Sequence, residues 1–429
     1  MIVLPFLYFS LLSFGLYHRR KQLDITILIT LMFAICGAFS ILVDLYDLRY
    51  PDFTSYSISP WAAIFYCGLI TLNLLPFINY SNLSIKNVRP VRNGSVLKVL
   101  AVISSLWFFF VVLVSFPFLF IVLTSDIAEL RHDVYTEDTI TYMDFLPTAV
   151  RLPLAILNLT FGCYWVFIFL AFYSYFIQKL PFKYFLLFIF ASLSGPWNGI
   201  LGVDRSKTVY WIISLSVNYL LFLPYMTKKI KKRMMYMMSV LVGLAIVYVS
   251  MVTVARFGDR TYGHDVSDEV SGTEGGIISY LGQNFIYFCY YFDNFDSPLK
   301  TPAIILPFTY KYLLGDEMVS AVVIQDYITS KTGVFTGVFS TYLGQILICA
   351  GHFLMLLFCI MYTFISLIVI NTIKKKKASL LSLLIYMILL SVIYLGLFTH
   401  FYTSAETTFS LIVFLLLAKI MGSKKAAYG

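Results

Sequence analysis

Charge is sorted by side along this chain, and a chain threaded back and forth through a bilayer has a reason to sort it. Eleven apolar stretches can be marked, at 1–17, 25–43, 60–78, 99–124, 148–177, 184–201, 208–226, 234–254, 341–370, 379–399 and 408–421. The loops between them are of two kinds. One alternate set carries 21 of the 22 acids, while the other holds 21 of the 31 Lys and Arg residues and one acid, Asp24. Lys and Arg are retained on the cytoplasmic side during insertion. The basic set is therefore read as cytoplasmic: 18–24, the Lys86/Arg89/Arg92/Lys98 loop, 179–183, KKIKKR at 228–233, Lys374–Lys377 and the tail. The acidic set is then the outer face. An odd number of crossings puts the N-terminus outside and the C-terminus in the cytoplasm.

Composition agrees. With 429 residues, 60% hydrophobic and 12% charged, the chain is too apolar for a soluble globular domain. A crossing helix needs about 20 apolar residues, so there is material for ten or more. The net charge of +9 is explained by stop signals and does not call for a nucleic-acid partner. Six cysteines are scattered, five of them in apolar stretches, and form no disulfide framework or metal cluster. The first apolar stretch has its charges after it, at His18–Lys21. A cleavable signal carries them before, so an uncleaved first helix is expected.

The expected fold is thus all-α: one polytopic membrane domain over 1–429, with about eleven crossings and a single large outer loop, 255–340. That loop contains two apolar stretches, 277–292 and 301–314, both short for a crossing and joined by an acidic link. Helices lying at the outer interface or dipping part-way in are expected there. Two further crossings would give thirteen and leave the ends on the same sides.

The outer loops hold the residues of chemical interest. In GPWNGILGVDRSKT at 195–208, Gly and Pro break the helix and place Asp204, Arg205 and Lys207 at the outer mouth of the seventh stretch. Charge at such a boundary is costly and tends to mark a substrate path, and a guanidinium can grip a phosphate with two hydrogen bonds. The plainer reading pairs Arg205 with Asp204. In ARFGDRTYGHD at 255–265, Arg256 and Arg260 are four apart and share a face if the eighth helix runs on one turn; the plainer reading pairs them with acids of the same loop. In FTGVFSTYLGQILICAGH at 335–352, Tyr342 and Gln345 are interleaved with glycines. They either face a polar cavity or pack closely between helices. His400 lies near Glu406 at the outer end of the tenth stretch. A lone histidine is more often a hydrogen-bonded interfacial residue than a base. Asp44 and Asp47, beside Arg49, are a weak metal signal, and no phosphate loop, dinucleotide fingerprint, zinc motif or nucleophile elbow is present.

The layout resembles the bacterial O-antigen and oligosaccharide repeat-unit polymerase family (Wzy-type) over nearly the whole chain. Arg205-Ser206 in GVDRSKTV is similar to the Gly-Ser-Arg-Ser/Thr element that opens a mid-chain span in that family. Arg256 and Arg260 stand where the family's large outer loop begins, and Ser340–Gly344 resembles the element leading out of it. Phe339 and Ser340 replace a His-Asn often found before the Tyr-Leu pair, and ICAG lacks the acid often found before its glycine. The resemblance implies a glycosyltransferase acting on a glycan carried by a polyprenyl diphosphate at the outer face of the cytoplasmic membrane. Arg205, Arg256 and Arg260 would be catalytic, and Asp204, Lys207, Tyr342, Gln345 and His400 would bind substrate. Metal and cofactor are not implied. The partners would be the lipid-linked oligosaccharide, the bilayer and a chain-length regulator. Two other readings stay open: a lipid-linked oligosaccharide flippase or transporter, and a different membrane glycosyltransferase or glycan ligase.

Overall fold

The computed structural model describes residues 1–46, 48, 56–124, 142–257, 272–295, 329–331, 340–375, 377–398 and 405–422; for Leu123, 255–257 and Ala405 it describes the backbone alone. These residues are almost entirely helical and contain no strand, only one isolated bridge, between Val88 and Ala378. The helices are α1 (Leu4–Arg20), α2 (Ile25–Leu45), α3 (Pro60–Asn79), α4 (Gly94–Thr124), α5 (Thr148–Phe161), α6 (Tyr164–Phe176), α7 (Phe182–Ser192), α8 (Ser194–Leu201), α9 (Ser206–Phe222), α10 (Lys228–Phe257), α11 (Gly272–Asn294), α12 (Thr341–Lys375), α13 (Leu380–Tyr394) and α14 (Ala405–Gly422). Every one of the eleven apolar stretches falls on a helix. Eight candidates among the described residues are long and apolar enough to cross a membrane, or nine when α5 and α6, bent by 56° at their junction, count as one. The chain is therefore an all-α, multi-pass membrane protein in architecture.

Local chemistry sets the helix ends. Asp24 caps α2 by accepting from the Ile27 amide at 3.0 Å, and Ser59 caps α3 through the Ala62 amide at 3.1 Å, with Pro60 in the first turn. The long fifth stretch is broken rather than tilted. A Cβ at Gly162 would lie 2.6 Å from the Asn158 carbonyl oxygen and 2.9 Å from Cβ of Glu406, so only glycine fits where α5 stops. Gly351 has φ 79° and ψ 175°, interrupting α12 in the same way.

The helices group into two compact units, each assembled from separate chain segments. The first comprises 1–82, 256–371 and 387–404. Its core is aromatic: Tyr66 of α3 packs against Phe285 and Phe288 of α11, with ring centroids 5.0 and 5.2 Å apart, and against Phe9 and Phe33. The stretch at 277–292, expected to lie at the outer interface or dip part-way in, falls within a 23-residue helix, α11, which packs along α2 and α3 with most of its second half buried and is not among the candidates long and apolar enough to cross a membrane. It comes close enough to α2 for the Ser40 hydroxyl to donate to the Gly282 carbonyl at 2.6 Å. A Cβ on Gly282 would overlap the Phe39 carbonyl group. Gly282→Val is therefore expected to abolish folded protein, while Gly68→Ala, where a Cβ meets nothing within 4 Å, leaves it unchanged; gel filtration of detergent extracts checks both. The companion stretch 301–314 lies outside the described residues.

The second unit comprises 83–255, 372–386 and 405–429. At its centre is α6, apolar all round and buried at every position but Tyr175, as expected of a helix enclosed by others. Helices α7 and α9 pack against it, and α4 packs along α7. The polar edges of three indoles are satisfied inside this unit: Trp107 donates to Asn158 Oδ1 (3.1 Å), Trp197 to Ser115 Oγ (2.9 Å) and Trp211 to Ser192 Oγ (3.0 Å).

Candidate functional site

The turn between α8 and α9 is the most constrained feature near a sequence-predicted site residue. The four residues that join the two helices include Val203 at φ 47°, a left-handed conformation that a β-branched residue adopts only when its surroundings enforce it. The enforcing contacts are visible. The Asp204 amide donates to the Gly199 carbonyl at 2.7 Å, and the Val203 side chain is buried in an apolar cluster with Phe118, Val122, Leu201 and Val252. A Cβ at Gly199 would sit 2.6 Å from the Asp204 carbonyl oxygen, so the turn closes only over glycine.

This turn sets the three charges. The Asp204 carboxylate accepts from the Ser206 amide at 2.8 Å, capping α9 where the helix dipole favours negative charge. Arg205 is 4% exposed. Its Nη1 donates to Thr253 Oγ1 at 2.7 Å, and the Thr253 hydroxyl gives its own proton to the Val249 carbonyl at 2.6 Å. The threonine is thus oriented as an acceptor, and Arg205 is fixed between α9 and α10. Among the described residues no Arg205–Asp204 ion pair is found, the pair of the plainer sequence reading; the Asp204 carboxylate accepts from the helix end. Lys207 is half-buried, one residue into α9. The hydroxyls of Thr208 and Tyr248 are buried with no hydrogen-bond partner among the described residues.

Beside this turn lies a second polar group in the same unit. Asn158 of α5 donates to the Tyr142 hydroxyl at 3.1 Å while accepting from Trp107, and Tyr142 packs on the cluster that buries Val203. Burial pushes the Tyr142 phenol up from its ordinary value; the Asn158 hydrogen bond opposes this and the Glu406 carboxylate adds to it.

The other predicted residues are elsewhere. Tyr342 and Gln345 belong to the first unit. Tyr342 is 0% exposed; its hydroxyl accepts from Asn73 Nδ2 at 2.7 Å, and its ring lies against Gly396, where a Cβ would come within 2.9 Å. Of the two readings given to Tyr342, close packing is the one its geometry supports. Gln345 is buried as well. The entry to α12 is strained like the entry to α9: Thr341 has φ 62°, and its amide donates to the Phe398 carbonyl at 3.0 Å. Arg256 lies in the last turn of α10, three residues after Thr253, with its backbone alone described. Arg260, His400, Asp47 and Arg49 lie outside the described residues. All six cysteines are buried free thiols, and among the described residues no three His, Cys, Asp or Glu side chains stand together as a metal site.

The residues that sequence reasoning passed over share one signal: a single polar side chain inside an apolar stretch. Asn73 (TLNLL), Asn158 (AILNLTF) and Thr253 (MVTVAR) are each flanked by apolar residues, and each takes part in hydrogen bonds to another helix or turn. Comparison with family models, curated proteins and solved structures finds no match for this chain.

Proposed function

We propose that this chain is a glycosyltransferase of the bacterial cytoplasmic membrane that joins polyprenyl-diphosphate-linked oligosaccharide units into a surface polysaccharide at the outer face. On this reading it crosses the membrane eleven times, with its N-terminus outside and C-terminus inside. The observation that carries the reading is Arg205: a guanidinium at the mouth of a span, removed from water, held by Thr253 and set by a strained turn. Support also comes from the resemblance of GVDRSKTV and Ser340–Gly344 to repeat-unit polymerases, which rests on motifs and layout.

The chemistry asked of the residues is modest. A hydroxyl at the nonreducing end of the incoming unit attacks the anomeric carbon of the growing chain. The bond from that carbon to the diphosphate oxygen breaks, and the diphosphate leaves with the electron pair. The hydroxyl proton passes to a base. A lipid diphosphate needs no nucleotide activation, and the charge developing on it is stabilised by fixed cations in a site of low dielectric. Arg205, with Arg256 and Arg260, takes that role. Lys207, Asp204, Gln345 and His400 are assigned to the substrate side, and the enclosed Tyr342 to packing. A metal is not required.

The flippase reading is favoured by one observation, the interrupted helices: the bent α5–α6 pair and the non-helical Gly351 in α12. Broken helices are common where transporters hold substrate. A deletion strain separates the two. Loss of a polymerase leaves single repeat units exported and accessible to an external glycan-binding probe; loss of a flippase leaves them facing the cytoplasm, which would reverse the proposal.

A further inference from the structure

The opposite end of the second unit carries a surface with a different use. Seventeen residues of α9, about 25 Å of helix, separate the Arg205 turn from the end where basic loops meet. Two of these loops pair through their backbones. The Arg89 amide donates to the Ala378 carbonyl at 2.8 Å and the Ala378 amide to the Asn87 carbonyl at 2.9 Å, forming the bridge between Val88 and Ala378. Residues of the buried α6 helix and its exit tie the same strip down. The Tyr173 hydroxyl donates to the Arg89 carbonyl at 2.7 Å. Gln178 holds Val91 on both sides, accepting from its amide at 2.8 Å and donating to its carbonyl at 3.1 Å. Nearby, Tyr225 donates to the Ile85 carbonyl at 2.6 Å.

The side chains carried by this strip are all of one sign. Arg89 and Arg92 flank Val91, Lys179 follows Gln178, and Lys377 precedes Ala378; all four are exposed. Among the described residues none of them has a carboxylate partner, and the described acids of this unit, Asp144, Asp204 and Glu406, lie in the other set of loops. The positive-inside trend explains why so many cations are on this face. It does not explain why they are pinned. Topology depends on the number of charges near the span ends and is satisfied by a loose loop. Drawing Arg89, Arg92, Lys179 and Lys377 together by backbone bonds instead adds like-charge repulsion, which an anion between them would offset.

We propose that this strip is a binding site for the phosphate-bearing headgroup of an anionic phospholipid in the adjoining leaflet. The chemistry is that of basic pockets at span ends, where each Lys or Arg adds to the attraction for an acidic headgroup, and guanidinium forks suit phosphate oxygens. Lipid is favoured over a free anion because the site adjoins the span ends of α6 and α13, at headgroup level. The inference does not depend on the glycan reading and survives its failure.

The test uses the full chain purified in neutral detergent and titrated with phosphatidylglycerol, with bound lipid counted by native mass spectrometry. The triple variant Arg89→Gln, Arg92→Gln, Lys377→Gln is expected to bind about 10²-fold more weakly. Lys228→Gln, Lys229→Gln, Lys232→Gln removes equal charge from the start of α10 and is expected to weaken binding less than the first variant does. Ala378→Pro keeps every charge but removes the bridging amide, and is expected to weaken binding several-fold. It also serves if the first variant fails to fold. Equal losses in the two triple variants, undiminished binding in the first, or full binding by Ala378→Pro would overturn the proposal. So would displacement of the lipid from the parent protein by equimolar inorganic phosphate.

Discussion

Strains carrying Arg205→Lys in place of the parent chain are expected to lose long surface polysaccharide, showing single and short repeats on a gel. Charge is kept in this variant, so the effect isolates the guanidinium. Lysine offers a point charge on a flexible stem and cannot make two parallel bonds to a phosphate. Its single nitrogen cannot donate to Thr253 Oγ1, as Nη1 now does at 2.7 Å, and present a two-pronged face to a phosphate as well. Removing one fixed group that stabilises developing charge costs on the order of 10²–10³ in rate. Arg205→Ala is expected to fall at the upper end of that range. Thr253→Val, which deletes the acceptor and leaves the arginine in place, is expected to give an intermediate ladder. Lys207→Ala, at a half-buried position, should do less. Immunoblots of membranes must show equal protein for the ladders to be compared. An unaltered ladder for Arg205→Ala at equal expression removes Arg205 from the site.

The second large effect concerns stability. Asp24→Ala is expected to cost about 3–5 kcal/mol, the range for breaking a buried ion pair from one side. Asp24 is 0% exposed, and the Arg20 side chain with which it pairs is 10% exposed. The carboxylate has three tasks. It pairs with Arg20, caps α2 at the Ile27 amide, and accepts from the Ser81 hydroxyl at 2.7 Å. Arg20 in turn donates to the carbonyls of Phe77 and Ile78 at the end of α3, so one pair joins three helices. Asp24→Ala leaves a guanidinium buried without its counter-charge and α2 without its cap. Thermal unfolding of the detergent-solubilised protein reads the loss. The double variant Arg20→Met, Asp24→Ala should recover part of it, because the stranded charge is gone. An unfolding midpoint for Asp24→Ala within a degree or two of the parent would contradict this account of the α1–α2–α3 junction.

Asp24 also shows what the sequence made legible and what it did not. As the single acid among the basic loops it was visible as an exception to the charge partition, but its cause was not. The cause is tertiary: an end of α3, nearly 60 residues away in sequence, brings the carbonyls that fix Arg20. The eleven apolar stretches were legible because a helix in a bilayer must be apolar over its whole length. Breaks inside them were harder to read. Gly162 and Gly351 look like ordinary small residues in the sequence, and only the approach of Asn158 and Glu406, or a φ of 79°, shows that the helix stops there. At 277–292 the apolar run is shorter than the helix that contains it, since Gly272–Gly276 and Asp293–Asn294, which complete the 23 residues, are polar or small.

The candidate site was legible in part for the same reason. Arg205 and Asp204 stood out as charges at a span mouth, and the structure finds them at a strained, glycine-closed turn. Their division of labour did not show in the sequence, where adjacent opposite charges suggest a pair. Asp204 is drawn to the helix end and Arg205 to Thr253. Tyr342 stood out as a polar residue among the glycines of 335–352, yet a glycine distant in sequence decides its surroundings: Gly396 admits its ring, and Asn73 satisfies its hydroxyl. A polar side chain in an apolar helix gives the same sequence signal whether it binds a ligand or a neighbouring helix.

Reconstitution tests the central claim most directly. The purified chain is placed in proteoliposomes with a polyprenyl-diphosphate-linked oligosaccharide, without nucleotide and with EDTA present, and the products are resolved by size. A ladder of two or more joined units, with release of free polyprenyl diphosphate and its loss in Arg205→Ala, is the result this account predicts. Single units that cross the bilayer but never lengthen would contradict it.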